Sequence, residues 1–203
     1  MLLFIDTETT GRDPKKARLV ELAFIVCRVG EDNQPLEVAR AATLIRPDEI
    51  DQFPSSEAME VHGITGDEML EKGSPLSVPL SNLTDLIQWL QEDSGTHRLI
   101  CHNLNYDFQV LAEEYKRIGK SIIPLSQLSP FCTMQAITDR CRLPGKYGKY
   151  KWPRLQEAWE YCFPGLDFRN NPGQAHRAMF DAERCRDIYF HGLQQGWWHC
   201  ARY

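Results

Sequence analysis

The strongest constraint on this chain lies at its start, in Met1-Leu2-Leu3-Phe4-Ile5-Asp6-Thr7-Glu8-Thr9-Thr10-Gly11, where an apolar run ends in two acids. A short apolar run closed by Thr-Thr-Gly has the character of a buried strand. Strand side chains alternate faces, so Asp6 and Glu8 share one side while Thr7 takes the other. Two neighbouring carboxylates repel each other and resist desolvation unless a cation offsets their charge or water reaches them. A metal site answers that problem, and so does a strand running into an exposed acidic turn. The motif alone does not separate the two. Further acids elsewhere in the chain would.

With 203 residues, 42% of them hydrophobic and 25% charged, the chain has the size and apolar content of one domain with a proper core. No apolar stretch approaches the ~18 residues of a membrane span. The N-terminal run is too short, and too soon broken by acids, for a signal peptide. A soluble, cytoplasmic protein with no membrane partner is expected. The seven cysteines form no Cys-x-x-Cys pair and are odd in number, which suggests reduced, mostly buried thiols rather than a zinc cluster or a disulfide framework. A net charge of −5 argues against gripping nucleic acid by bulk electrostatics. It is compatible with a nuclease, because acids that hold divalent cations make the metal-free chain more negative than the loaded one.

Along the chain, Leu19 to Cys27 and Leu36 to Ile45 read as second and third strands. Glu31 to Pro35 is the hairpin connection between them, so three antiparallel strands carry the acid pair on the first. Residues 47 to 79 are irregular, with short helices expected at Ser55 to Glu60 and Asp67 to Glu71. Within this stretch His62 precedes Gly63, a pattern of a helix end capped in the left-handed conformation. Leu83, Leu86, Ile87 and Leu90 mark an amphipathic helix over Leu80 to Asp93. Leu99-Ile100-Cys101 is a short strand entering His102-Asn103-Leu104-Asn105-Tyr106-Asp107. Phe108, Leu111, Tyr115 and Ile118 line one face of the next helix, whose first turn holds Asp107, a place that suits an acid on dipole grounds alone. Thr133 to Arg140 is a further helix, and Pro153 is expected to open another that runs to Phe163. Ala178, Ala182, Cys185, Ile188 and Tyr189 mark a last long helix containing Asp181. His176 and Asp181 are five residues apart, about 140° round a regular helix, so His176 is expected in the entry to this helix. The Trp197-Trp198 tail is expected to pack on the core.

Asp6-x-Glu8, the segment ending in Asp107, and His176-Arg177-Ala178-Met179-Phe180-Asp181 together resemble, in order and spacing, the four acids and one histidine of the DEDDh (DnaQ-like) exonuclease family, whose members include proofreading epsilon subunits. Val61-His62-Gly63-Ile64-Thr65 and Pro130-Phe131-Cys132-Thr133-Met134 resemble the family's intermediate segments. The resemblance spans residues 2 to about 190. It implies an α/β, RNase-H-like fold with a mixed central sheet, first three strands antiparallel and helices on both faces. It places a catalytic domain at 1–195 and a short tail at 196–203. It further implies Asp6, Glu8, Asp107 and Asp181 as metal ligands, with Asp6 bridging two ions, and His176 as the general base. Thr7, Thr9, Val61, His62, Asn103 and Tyr106 fall where the family shapes its pocket for the terminal nucleotide.

All-oxygen ligands favour Mg²⁺ or Mn²⁺ over zinc. Two such ions ~3.5–4 Å apart suit in-line displacement at phosphorus. A histidine with an unperturbed pKa of ~6.5 suits removal of a proton from the attacking water. The expected reaction is 3′→5′ release of nucleoside 5′-monophosphates from single-stranded DNA ends, with RNA ends or short oligoribonucleotides as the alternative. A non-catalytic module serving a polymerase or repair partner is a further alternative. All five motif residues are present, and only 22 residues follow Asp181, so a stand-alone enzyme is expected. Tyr106 stands where many relatives carry phenylalanine, and offers a ring for stacking plus a hydroxyl that could meet a 2′-OH. Finally, positions 146 to 154 gather four basic residues and three aromatics. Interleaving of that kind suits single-strand contact through Lys146, Lys149 and Lys151, or a solvated loop with Trp152 tucked under the next helix.

Overall fold

The computed structural model describes residues 1–169 and 177–199. Its elements run β1 (Leu2–Thr9), β2 (Leu19–Val29), β3 (Pro35–Leu44), α1 (Ser56–His62), α2 (Gly66–Lys72), α3 (Ser77–Glu92), β4 (Arg98–Cys101), α4 (Leu104–Arg117), α5 (Ile123–Ser126), β5 (Ser129–Cys132), α6 (Thr133–Cys141), α7 (Leu155–Cys162) and α8 (Ala178–Gln194).

These strands form one five-stranded mixed sheet in the order β3-β2-β1-β4-β5. The first three strands are antiparallel, as expected, and β4 and β5 add in parallel beyond β1. The acid-bearing strand is therefore central. Its alternation sorts the two faces. Leu3 and Ile5 pack with Leu80, Leu83, Ile87, Val110 and Leu111 of α3 and α4, while Leu2 and Phe4 pack with Ala182, Cys185 and Tyr189 of α8. Each of the larger apolar side chains among these, fully buried, contributes about 1.5–3 kcal/mol of transfer free energy. Helices thus cover both faces, and Asp6 and Glu8 continue the α8-facing side past the end of the core.

Several boundaries differ from the sequence expectation. Helix α3 begins at Ser77, three residues early, because Pro79 lacks only an N–H that a first turn does not use. Pro153 does not open α7. Arg154 is the cap and Leu155 the first helical residue, while the Pro153 carbonyl accepts a bond from His102 Nε2 at 3.1 Å. Strand β5, four residues including Pro130, was not expected. As an edge strand it tolerates a residue without an N–H on its open side. Trp198 does pack inward, edge-on to Phe131, with its indole donating to the Tyr189 carbonyl at 2.9 Å. A Cβ added at Gly192 would lie 2.0 Å from its ring. No helix among the described residues is long and apolar enough to cross a membrane.

Candidate active site

Three elements deliver the acids to one end of the sheet. Strand β1 supplies Asp6 and Glu8 on its α8-facing side, and α8 supplies Asp181 from its first turn. Carboxylate oxygens of Asp6, Glu8 and Asp181 all lie within 4.8 Å of one another, close enough to share a metal ion. Asp107 arrives from the first turn of α4, where it is 4% exposed, and accepts a bond from Thr7 Oγ1 at 2.8 Å. The residue that β1 turns away from Asp6 and Glu8 thus holds the fourth acid.

Burial and mutual repulsion make the cluster reluctant to ionise. The Asp6 carboxyl is pushed well above the usual range, first by burial and then by Asp181, Asp107 and Glu8. Glu8 rises to about 9 by burial, with Asp181 and Glu21 adding to it. Asp107 rises to about 7 through burial, opposed by its bond from Thr7, and Asp181 to about 7 through burial, opposed by Arg184. A cation placed among these oxygens removes both causes. The all-oxygen donor set and its unmet negative charge fit a hard divalent ion.

Beside the cluster lies a cleft of about 720 Å³. All six residues expected from sequence to shape a substrate pocket, Thr7, Thr9, Val61, His62, Asn103 and Tyr106, line it together with Glu8. His62 stands both at a helix end and at the wall of the cleft. It ends α1 before Gly63 at φ 71°, and its ring, 4% exposed, reaches the cleft. Its Nδ1 accepts the Ile64 N–H at 3.0 Å, which puts the proton of the neutral ring on Nε2. Asn103 caps α4 with φ 80°, left-handed backbone that asparagine tolerates better than most residues. The Tyr106 hydroxyl donates to the Gly11 carbonyl at 2.6 Å and lies 2.6 Å from Thr9 Oγ1. The proton that sequence left available to a 2′-OH is therefore committed within the protein.

His176, the expected general base, lies outside the described residues. Arg177, next to it, is described and had drawn no attention in the sequence. Its guanidinium grips Glu21 at 2.8 and 3.1 Å, and Glu21 also accepts the Ala178 N–H at 2.9 Å. Glu21 pairs across the sheet with Glu8 and is 4% exposed. The signal was present: an acid inside the apolar run Leu19-Val20-Glu21-Leu22-Ala23 needs a partner. Arg12, Ser55 and Glu57 also line the cleft without having been expected there. Of the three lysines expected at nucleic acid, Lys151 is engaged with Glu157 at 2.6 Å.

The exonuclease family model RNase_T matches residues 3–189. The chain belongs to this exonuclease family. Among similar proteins, Ribonuclease T of Actinobacillus pleuropneumoniae is 23% identical over 190 residues, covering 92% of this chain and 80% of the relative. The DNA polymerase III subunit epsilon of Rickettsia felis is 27% identical over 188 residues, covering 92% and 71%. E. coli Exonuclease I in complex with a dT13 oligonucleotide superposes with a TM-score of 0.70 at 19% identity over 95% of this chain. A zinc-bound form of its single-stranded DNA complex superposes equally well, at 0.70. The chain spans 40% of the length of the Exonuclease I chain. As a DEDDh exonuclease with the RNase-H-like fold, the domain is a 3′→5′ hydrolase of nucleic-acid phosphodiester bonds.

Proposed function

We propose that the domain, residues 1–195, removes nucleotides from the 3′ end of single-stranded DNA and releases nucleoside 5′-monophosphates, with two Mg²⁺ or Mn²⁺ ions held by Asp6, Glu8, Asp107 and Asp181. The observation that carries this reading is the convergence of three carboxylates within 4.8 Å beside the cleft that all six expected pocket residues line. When bound, such ions supply Lewis-acid activation of the phosphate and of the attacking water.

The chain's own residues do the rest. Asp6 feels Asp181, Asp107 and Glu8, the position expected of the bridging ligand. Thr7 orients Asp107. His176, a residue type that ionises near neutral pH, is the group to take the proton from the attacking water. His62, Asn103 and the Tyr106 ring bound the terminal nucleotide. The Tyr106 proton is committed to Gly11, so this hydroxyl does not donate to a 2′-OH, and the likeness to Exonuclease I in complex with a dT13 oligonucleotide supports DNA.

The likeness to Ribonuclease T supports the second reading, trimming of RNA 3′ ends. Side-by-side digestion of matched single-stranded DNA, duplex DNA and RNA, with Mg²⁺ or Mn²⁺, separates the readings. Fastest release of 5′-mononucleotides from the 3′ end of single-stranded DNA is expected. Faster RNA loss would select the alternative, and full activity of His176→Ala would overturn the mechanism. A non-catalytic role beside a polymerase or repair partner is the least supported, since every motif residue is present.

A further inference from the structure

The segment between α6 and α7 folds as a small closed hairpin. The Lys151 N–H donates to the Leu143 carbonyl at 3.0 Å, the Gly145 N–H donates to the Lys149 carbonyl at 3.0 Å, and Pro144 bridges Tyr150 in antiparallel fashion. At its tip Tyr147 has φ 57° and Gly148 φ 71°. Left-handed backbone is rare for an aromatic residue. It leaves the Tyr147 side chain 96% exposed, with Trp152 at 63% and Tyr150 at 45%. None of the three joins a core cluster among the described residues. Trp152 therefore does not tuck under α7. Lys146 and Lys149 form no ion pair among the described residues.

The base of this hairpin is tied to the level of the acids. His102 directly follows β4, whose Ile100 pairs with Phe4, two residues before Asp6. Thr133, which His102 meets, also lies 3.5 Å from Cys185 of α8. There His102 Nε2 donates to the carbonyl of Pro153, the residue after Trp152, while Nδ1 meets Thr133 Oγ1 at 2.9 Å. A row of exposed rings and unpaired lysines thus leads away from the catalytic end of the sheet, on a chain whose net charge is −5. Unpaired positive charge beside exposed π-faces complements a flexible polyanion with stackable bases.

We propose that Trp152 and Tyr147, with Lys146 and Lys149, form a stacking platform for the single-stranded stretch that lies 5′ of the terminal nucleotide. The proposal rests on the 3′→5′ reading only for the polarity of the strand. It is tested by anisotropy of 5′-fluorescein-labelled dT12 and U12 on the full chain in Ca²⁺, with an unlabelled thymidine dinucleotide as competitor. Trp152→Ala and Tyr147→Ala should each weaken 12-mer binding roughly tenfold, with dinucleotide competition shifting less than about twofold. Lys146→Ala with Lys149→Ala should flatten the slope of log affinity against log salt by about 0.7 per lysine. A loss confined to dT12, or to U12, identifies which of the two strands the platform takes and supports it.

Unchanged 12-mer affinity in both aromatic variants overturns it. So does an equal loss for dinucleotide and 12-mer, which would place the rings in the terminal pocket. Tyr147→Ala removes only solvent-exposed atoms, so it tests the proposal even if Trp152→Ala misfolds. Because binding is read without turnover, failure of the platform and failure of the nuclease reading give different results.

Discussion

Helix α4 carries two buried acids about two turns apart, and they have opposite surroundings. Glu114, fully buried, receives Arg18 Nε at 3.2 Å, Arg117 at 3.1 Å and the Leu19 N–H at 2.9 Å. Asp107, 4% exposed, has the Thr7 hydroxyl and three more acids for neighbours. Burial is thus common to both, and compensation is what distinguishes them. Where cations of the protein answer the charge, the acid ties elements together. Where they do not, the charge is left for something from outside.

The sharpest break in this comparison is between activity and stability. Asp6→Asn should cut the rate of nucleotide release from a 3′-labelled strand by about 10³-fold or more, since it removes a ligand where transition-state charge is met. Its melting temperature should hold or rise, because an acid that burial and its neighbours disfavour is replaced by a neutral group of the same shape. Glu114→Gln should do the reverse. It leaves Arg18, whose side chain is 7% exposed, with only the exposed Asp51 and Glu49 as charged partners, and a stability loss of about 1–3 kcal/mol is expected in a urea melt. Equal damage to activity from both variants would refute the distinction.

Arg177→Ala should move Glu21 from the compensated class to the other one, adding an unpaired acid opposite Glu8. Activity should fall about 10–100-fold, the range for a supporting partner of a metal site, and Arg177→Lys should restore only part of it because it cannot grip in two places.

The pH dependence of stability carries the same contrast. In the metal-free protein the cluster's pKa values lie above those of the unfolded chain, at about 7 for Asp107 and Asp181 and about 9 for Glu8. The folded state therefore binds more protons than the unfolded state between the ordinary carboxylate range and these values. Stability should fall as pH rises through about 7 and on to about 9. Mg²⁺ should raise the melting temperature, by about 2.7 kcal/mol of stability at a hundredfold excess over its Kd, and more at pH 9 than at pH 6. Melts in EDTA whose midpoint rises over that span would contradict the picture. The smallest effect is expected from Lys151→Ala. Its pair with Glu157 is 41% and 31% exposed, and a change under about 1 kcal/mol should register in the same melt.

Much of this was legible in the sequence because β1 obeys the simplest rule in it. Alternation alone placed Asp6 and Glu8 together, and the resemblance of the later motifs to the family supplied Asp107 and Asp181. The pocket residues were legible only through family resemblance, since nothing in the spacing of Thr9, Val61 and Tyr106 brings them to one cleft. Long-range compensation was hidden. Glu21 announced a need for a partner, but only the fold reveals that Arg177, 156 positions away, meets it. The same limit applied to Lys151, whose pair with Glu157 the sequence did not show. Strand β5 escaped because four residues with a proline carry almost no periodicity.

The two-sidedness of β1 also bears on how errors in folding would show. Pairing the strand one residue out of step would exchange its faces. Asp6 and Glu8 would be driven against the leucines of α3 and α4, while Thr7 would swing away from Asp107 into the place meant for a ligand. On the metal-site reading, a misregistered chain would be both unstable and unable to hold a cation. For this protein, divalent-ion affinity is therefore a direct assay of whether its central strand has been placed correctly.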